Sequence, residues 1–144
     1  MHANHAGGYS YRLCKVPSEG IVGLTEECFQ QTPLEFKGKD QWVRAEGQKK
    51  WSKKRAMQTT VGTWPQGSMW RKNHYFTYGT CMDHVDCTKK EELAGKNCGR
   101  CRGQIKDEVK VPANLTPGAY VLSWRWDAEG SGQIWSGCAN IEIN

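Results

Sequence analysis

The sequence predicts an all-β fold, an antiparallel β-sandwich, and three observations lead to this expectation. Sixteen glycines and five prolines are spread over 144 residues, which indicates many turns. Apolar side chains alternate with period two in residues 8–14 and in much of the C-terminal third. The sequence contains no heptad pattern, internal repeat or uninterrupted helical stripe. Because the chain is too short for two ordinary cores, we expect one domain over residues 1–144.

The N-terminal part of the chain predicts a strand, a loop and one helical turn. Residues 8–14 alternate as a strand, and residues 15–20 contain the proline and glycine typical of a loop. Thr25 is suited to begin a helical turn, because its hydroxyl can accept a hydrogen bond from the free N–H groups there. Cys14 and Cys28 flank this loop, so we predict that they form a disulfide.

The middle of the chain gives weaker patterns. Residues 37–58 are polar and lysine-rich, with two embedded tryptophans, and have no clear period. Residues 59–64 predict a short strand, followed by a turn at residues 65–68 and an aromatic-rich segment at residues 69–78. Four cysteines in the next polar stretch predict a long stapled loop: Cys81, Cys87, Cys98 and Cys101.

The C-terminal third gives the clearest pattern. Residues 104–111, 119–126 and 134–143 each read as a strand, and a turn at residues 112–118 separates the first two. We expect the last two strands to be adjacent and antiparallel at one end of the sandwich.

Seven cysteines indicate disulfides and an oxidising compartment. We therefore expect a secreted protein, although residues 1–5 form no apolar signal segment. The simplest resolution is that these residues are a piece or a processed form of a longer protein. No stretch is long and apolar enough to predict a membrane span. The four cysteines of the predicted loop could form two disulfides or, with His84, a zinc site.

The net charge is +5, and much of the excess lies in residues 49–55. Such a run can contact phosphate, but nucleic-acid binding normally requires a wider basic face, so no nucleic-acid partner is expected. The alternative among nucleic-acid-binding proteins is a small zinc protein with a basic nucleic-acid-binding loop.

His5 precedes two glycines and the first predicted strand. An imidazole at such a backbone bend could bind copper or zinc, with His2 nearby, or could be a polar residue at a strand entrance. Residue type alone leaves both possibilities open.

Four stretches of the chain together resemble a known family. They read NHAGGYSYRLC from residue 4 followed by EECF from residue 26, VPANLTPGAYVL from residue 111, and QIWSGCANI from residue 133. In order and type they are similar to lytic polysaccharide monooxygenases, most of all to the type found in insects, algae and oomycetes. The likeness spans most of the chain, and residues 63–70 fit it loosely. The lysine-rich segment and the four-cysteine loop are its weakest parts.

The resemblance implies an immunoglobulin-like β-sandwich that holds one copper ion in a histidine brace, formed by an N-terminal histidine and a second imidazole. It places the second imidazole at His5, an axial aromatic residue at Trp135 and a polar residue beside the copper ligands at Gln133. The N-terminal brace histidine is not among the 144 residues, and Cys138 has no evident partner. We therefore expect an incomplete sandwich that binds copper weakly or not at all and has no activity by itself.

The resemblance also implies a secreted monomer that acts on chitin or cellulose. Trp64, Trp70 and Tyr75 are candidates for stacking on sugar rings. A non-catalytic carbohydrate-binding module on the same fold is the alternative of this class.

Overall fold

The structure is a computed structural model that describes residues 7–45, 49–73, 103–130 and 132–144. These residues form ten β-strands, one short α-helix and one 3-10 turn. The strands are β1 (Gly8–Lys15), β2 (Glu35–Phe36), β3 (Asp40–Ala45), β4 (Ser52–Arg55), β5 (Gln58–Thr59), β6 (Trp70–Lys72), β7 (Gly103–Lys106), β8 (Val109–Lys110), β9 (Gly118–Asp127) and β10 (Ile134–Ile143). The helix α1 is Glu26–Gln31 and the 3-10 turn is Gly20–Gly23. The predicted all-β fold is confirmed.

The strands form two sheets and one separate pair. The large sheet has the order β10-β9-β1-β6-β5, the small sheet has the order β4-β3-β7, and β2 pairs with β8. Every pairing among these strands is antiparallel. The last two strands, β9 and β10, are adjacent over their whole length, as the sequence predicts.

The period-two pattern of β1 sorts its side chains onto the two faces of the large sheet. Tyr9 and Leu13 are buried on the inner face, where Tyr9 and Trp126 pack with Phe36 of the β2–β8 pair. Ile105 of the small sheet packs against the same cluster. The inner face of the large sheet is therefore covered by the other strands, which gives a sandwich-like arrangement.

A fully buried ion pair joins the two layers. Arg71 lies on β6 and Asp107 follows β7, and their side chains are 0% and 1% exposed. Arg71 Nη1 donates to Asp107 Oδ1 at 2.7 Å and to the Asp40 carbonyl at 2.9 Å. The other guanidinium N–H groups donate to the Gly38 carbonyl and to Gln58 Oε1. This buried charge is thus both neutralised and hydrogen-bonded, as burial requires.

Two tyrosines complete the network around Asp107. The Tyr9 hydroxyl donates to Asp107 Oδ2 at 2.9 Å, and the Tyr11 hydroxyl donates to the same oxygen at 3.3 Å. Burial, reinforced by the Asp107 carboxylate, raises the pKa of both tyrosines above the ordinary value. Both hydroxyls therefore stay protonated and act as donors. The guanidinium carbon of Arg71 also lies 4.2 Å from the centroid of the Phe36 ring, in a cation–π contact.

The outer face of the large sheet is covered by α1. Thr25 caps this helix, because its hydroxyl oxygen accepts a hydrogen bond from the Cys28 N–H. The predicted disulfide between Cys14 and Cys28 is confirmed, and it ties α1 to β1. Phe29 of the helix packs with the disulfide region and with Val121 of β9.

The strand β10 forms one edge of the large sheet, next to β9. Ile134 and Trp135 are 61% and 49% exposed, and Cys138 is exposed with a free thiol. None of the helices among the described residues is long and apolar enough to cross a membrane.

Two strand predictions need correction. The strand expected over residues 59–64 is wrong, because pairing with β6 covers only Gln58–Thr59 and a loop follows. The strand expected over residues 104–111 is two strands, one in the small sheet and one paired with β2, separated at Asp107. Residues 40–55, which show no clear period, supply the β3 and β4 strands of the small sheet.

Candidate functional site

The starts of β1 and β10 lie at the same end of the large sheet, on either side of the end of β9. Gly8 and Ile134 are both paired with Asp127, the last residue of β9, from opposite sides. Gly7 and Gln133 each precede these paired residues by one position. The sheet therefore brings together two segments that are more than 120 residues apart in the chain, and both belong to the stretches that resemble the monooxygenases.

Gly7 is held tightly at this end. Its φ angle is +85°, and a Cβ atom at this position would lie 2.0 Å from the Asp127 carbonyl oxygen. Its N–H donates to the Glu129 carboxylate at 3.3 Å, and its carbonyl accepts from the Asn73 N–H at 2.9 Å. Lys72 also lies 3.5 Å from the Glu129 carboxylate. Only glycine fits this left-handed position beside the neighbouring backbone.

Trp135 is directly opposite Trp126 on the inner face of the large sheet. The two indole rings are stacked, with centroids 6.3 Å apart and planes 23° apart. Gln133 lies just before the strand, and its carbonyl accepts from the Ala128 N–H at 3.0 Å. The Trp135 ring is thus stacked on Trp126, with about half of the residue's surface exposed.

Several predicted site residues lie outside the described residues. These are the proposed copper ligand His5, its neighbour His2, the candidate sugar-stacking Tyr75, and the possible zinc ligands Cys81, His84, Cys87, Cys98 and Cys101. Among the residues that the structure describes, no group of three or more His, Cys, Asp or Glu side chains could hold a metal ion.

Trp64 and Trp70 belong to one connection, the loop between β5 and β6 and the strand that follows it. The Trp70 indole Nε1 donates to Ser68 Oγ at 3.1 Å, and Thr63 Oγ1 donates to the Ser68 carbonyl at 2.8 Å. Trp64, adjacent to Thr63, is 66% exposed, whereas Trp70 is half-buried. The loop thus exposes the indole ring of Trp64, and the hydrogen bonds to Ser68 stabilise the loop.

The sheet does not combine these tryptophans with Trp135. Three strand spacings, about 14 Å, separate β6 from β10. Trp135 shares the inner face with its cross-strand neighbours, whereas Trp70 lies beside Gly8 and points to the outer face. Trp70 and Trp135 are therefore parts of two separate aromatic surfaces.

A chain of charges crosses the outer face toward the same end of the sheet. Glu26 of α1 accepts from Arg12 at 2.5 Å and from Arg125 at 2.6 Å. Arg125 in turn makes a bidentate contact with Asp127 at 2.6 and 2.9 Å. Partial burial alone would raise the pKa of Glu26. Hydrogen bonds from Arg12 and Gln30, with the charges of Arg12 and Arg125, outweigh burial and lower this pKa below its ordinary value.

The sequence patterns missed two charged arrangements. The buried Arg71 network depends on partners up to 36 residues away, so no local motif indicates it. The outer face of the small sheet carries alternating cations and indole rings, centred on Trp42 of β3. The sequence shows the basic run at residues 49–55, but it does not show that this run pairs with the strand of Trp42.

No family model, no curated protein and no solved structure matches this chain. The likeness to the monooxygenases therefore depends on the quoted sequence stretches alone.

Proposed function

We propose that the chain is a polysaccharide-directed domain of the secreted copper-dependent monooxygenase type that its sequence resembles, either as a piece of such an enzyme or as a member without the complete brace. Its substrates would be of the chitin or cellulose class. The copper ligand that this chain would contribute is His5, with Trp135 and Gln133 beside it.

One observation supports this proposal above all others. The segment that follows His5 and the segment that contains Gln133 and Trp135 lie on either side of the end of β9, where Asp127 pairs with both. The resemblance requires these two segments to be neighbours, and nothing in their sequence separation would otherwise favour this. The tight passage of Gly7 past the Asp127 carbonyl fixes where the chain after His5 enters the sheet.

The described residues do not by themselves supply a copper site, because they contain no suitable group of three ligand side chains. A single imidazole at His5 would be a weak ligand, since tight copper sites in proteins combine several nitrogen or sulfur donors. Copper chemistry therefore depends on donors beyond the described residues, and this proposal assigns to these residues only the support of the site.

A non-catalytic carbohydrate-binding module is the second candidate, and the exposed Trp64 favours it. Exposed indole rings can cover apolar sugar faces at little cost in side-chain entropy. Trp64 is such a ring, and a hydrogen bond between Thr63 and Ser68 stabilises its loop. This candidate needs no metal. It shares with the first one the prediction that the chain binds insoluble polysaccharide.

Co-sedimentation with chitin and with cellulose tests the proposal. We expect the 144-residue chain to bind at least one of them, and Trp64→Ala to weaken binding about tenfold, because loss of a stacked ring costs roughly 1–2 kcal/mol. Val61→Ala is the matched control, since Val61 is 85% exposed in the same loop but has no ring. Absence of binding to both polysaccharides, or equal binding by Trp64→Ala and wild type, would contradict this role.

The same incubation with added copper and a reductant separates the two candidates. The first candidate, as a piece of an enzyme, predicts oxidised sugars only when the missing brace histidine is supplied by a longer chain. The second candidate, a carbohydrate-binding module, predicts no oxidised sugars with the 144-residue chain or with the longer one.

A further inference from the structure

The positive charge of the protein is concentrated in one hairpin of the small sheet. Residues 37–55 contain eight lysine and arginine residues against two acidic residues, a net charge of +6. The whole chain has a net charge of +5, so all other residues together carry a charge of −1. This segment forms β3, β4 and the residues around them.

The register of the small sheet places three of these eight cations on one face, Arg44, Lys53 and Arg55, whereas Lys54 pairs with the buried Gln41. Gln41 and Val43 are buried toward the large sheet, so Trp42 and Arg44, which alternate with them, lie on the opposite face. Trp42 pairs with Lys53 of β4 on one side and with Lys106 of β7 on the other. Lysine, tryptophan and lysine thus form one row across three strands.

A second row lies beside the first. Continuing the β3–β4 register places Trp51 next to Arg44, and Arg44 Nε donates to Gln104 Oε1 on β7 at 3.0 Å. The guanidinium carbon of Arg44 is 4.7 Å from the centroid of the Trp51 ring. The Lys106 ammonium group is 5.3 Å from the centroids of both the Trp42 and Trp51 rings. We call the surface formed by Trp42, Arg44, Trp51, Lys53 and Lys106 the basic face.

The indole rings hold the cations of the basic face in place. Cation–π contacts restrict Lys106 and Arg44, whose side chains would otherwise sample many rotamers. Lys53 lies 6.0 Å from the Trp42 centroid and 2.9 Å from the Asp40 carboxylate, yet its side chain is 61% exposed. Lys53 and Lys106 are two strand spacings apart, about 9–10 Å. The basic face therefore offers cations at fixed positions that are open to a ligand.

We propose that the basic face binds an acidic polysaccharide, a chain of sugars that carry carboxylate or sulfate groups. The cations would contact the anionic groups, and the exposed edges of the indole rings would contact the sugar rings. The surface and its charge stand independently of the proposed function, but the choice of a polysaccharide as the ligand rests on it.

One feature of the basic face favours a polysaccharide over a single-stranded nucleic acid. Nucleic acids stack their bases on free aromatic faces, whereas cations already lie over the rings of Trp42 and Trp51.

Binding of polygalacturonate and of its fully methyl-esterified form tests this proposal, because the two polymers share one backbone and differ in charge. We expect wild type to bind polygalacturonate at low ionic strength, to lose this binding at about 0.5 M salt, and not to bind the ester. The double variant Lys53→Gln/Lys106→Gln should weaken the binding by about fivefold or more. Isothermal titration or affinity electrophoresis measures each case.

The control is Lys15→Gln/Lys110→Gln, which removes the same charge from two exposed lysines on other strands. The affinity of this control variant for polygalacturonate should be within about twofold of that of wild type, if the position of the lysines rather than the net charge determines binding. Equal weakening by the two double variants would overturn the proposal, as would tighter binding to single-stranded DNA than to polygalacturonate. Trp64→Ala should leave this binding unchanged, so failure here and failure of chitin or cellulose binding are distinguishable.

Discussion

Arg71→Met is expected to lower the free energy of unfolding by about 3–5 kcal/mol, which is a large part of the stability of a domain of this size. The substitution leaves the Asp107 carboxylate, 1% exposed, without its only buried cationic partner among the described residues. It also leaves the Asp40 and Gly38 carbonyls and Gln58 without their donors. Urea denaturation monitored by tryptophan fluorescence measures the change.

A control and a second variant separate charge burial from packing. Lys110→Met breaks the ion pair between Lys110 and Glu35, and the side chains of these two residues are 59% and 60% exposed. It should lower the free energy of unfolding by less than about 1 kcal/mol. Adding Asp107→Asn to Arg71→Met removes the unpaired charge while keeping an acceptor for Tyr9, so it should recover part of the loss. A loss in Arg71→Met as small as that in Lys110→Met would refute the role given to this pair.

Gly7→Ala is expected to destabilise the protein by at least about 2 kcal/mol. The new methyl group would lie 2.0 Å from the Asp127 carbonyl oxygen and 2.8 Å from the Glu129 nitrogen, both backbone atoms that cannot move aside easily. We expect the start of β1 to separate from the end of β9. Faster hydrogen exchange of the Asn73 amide, which donates to the Gly7 carbonyl, would report this locally.

The matched control is Gly62→Ala. Gly62 also has a positive φ angle, +70°, but a Cβ atom there meets no atom within 4 Å. Its cost should be limited to the backbone conformation, about 1 kcal/mol. If the two alanine variants lose equal stability, the close approach of Gly7 to β9 does not organise this end of the sheet.

The strands whose apolar side chains alternate in the sequence were predictable, and β3 and β4 were not. In β1, Tyr9 and Leu13 alternate with polar residues because one face meets the core, and the pattern located the strand within one residue. The last strand, Ile134–Ile143, was also located correctly. β4 consists of one serine and three basic residues, all exposed, so its sequence carries no period that reports burial.

The candidate site was predictable only in part. The Cys14–Cys28 disulfide followed from the short loop between the two cysteines, and the structure contains it. The placement of Gly8 and Ile134 on either side of Asp127 is a long-range pairing that period-two patterns cannot reveal. The place of His5 relative to Gln133 and Trp135 stays a prediction, because His5 lies outside the described residues.

The two proposed binding surfaces make separable demands on the ligand. The Trp64 loop carries an exposed ring and would suit uncharged sugar faces, whereas the basic face would suit acidic sugars. They also lie on different sheets, since the loop joins strands of the large sheet and the basic face covers the small one. Variants of one surface should therefore leave binding at the other unchanged.

Titration of the 144-residue chain with Cu(II) tests the central proposal most directly, namely that His5 would be one arm of a copper brace whose N-terminal histidine is not among the 144 residues. We expect no tight one-to-one site at His5, and a His5→Ala variant that titrates like wild type, because His5 without the N-terminal brace histidine is a weak copper ligand. A tight one-to-one site that is lost in His5→Ala would contradict it.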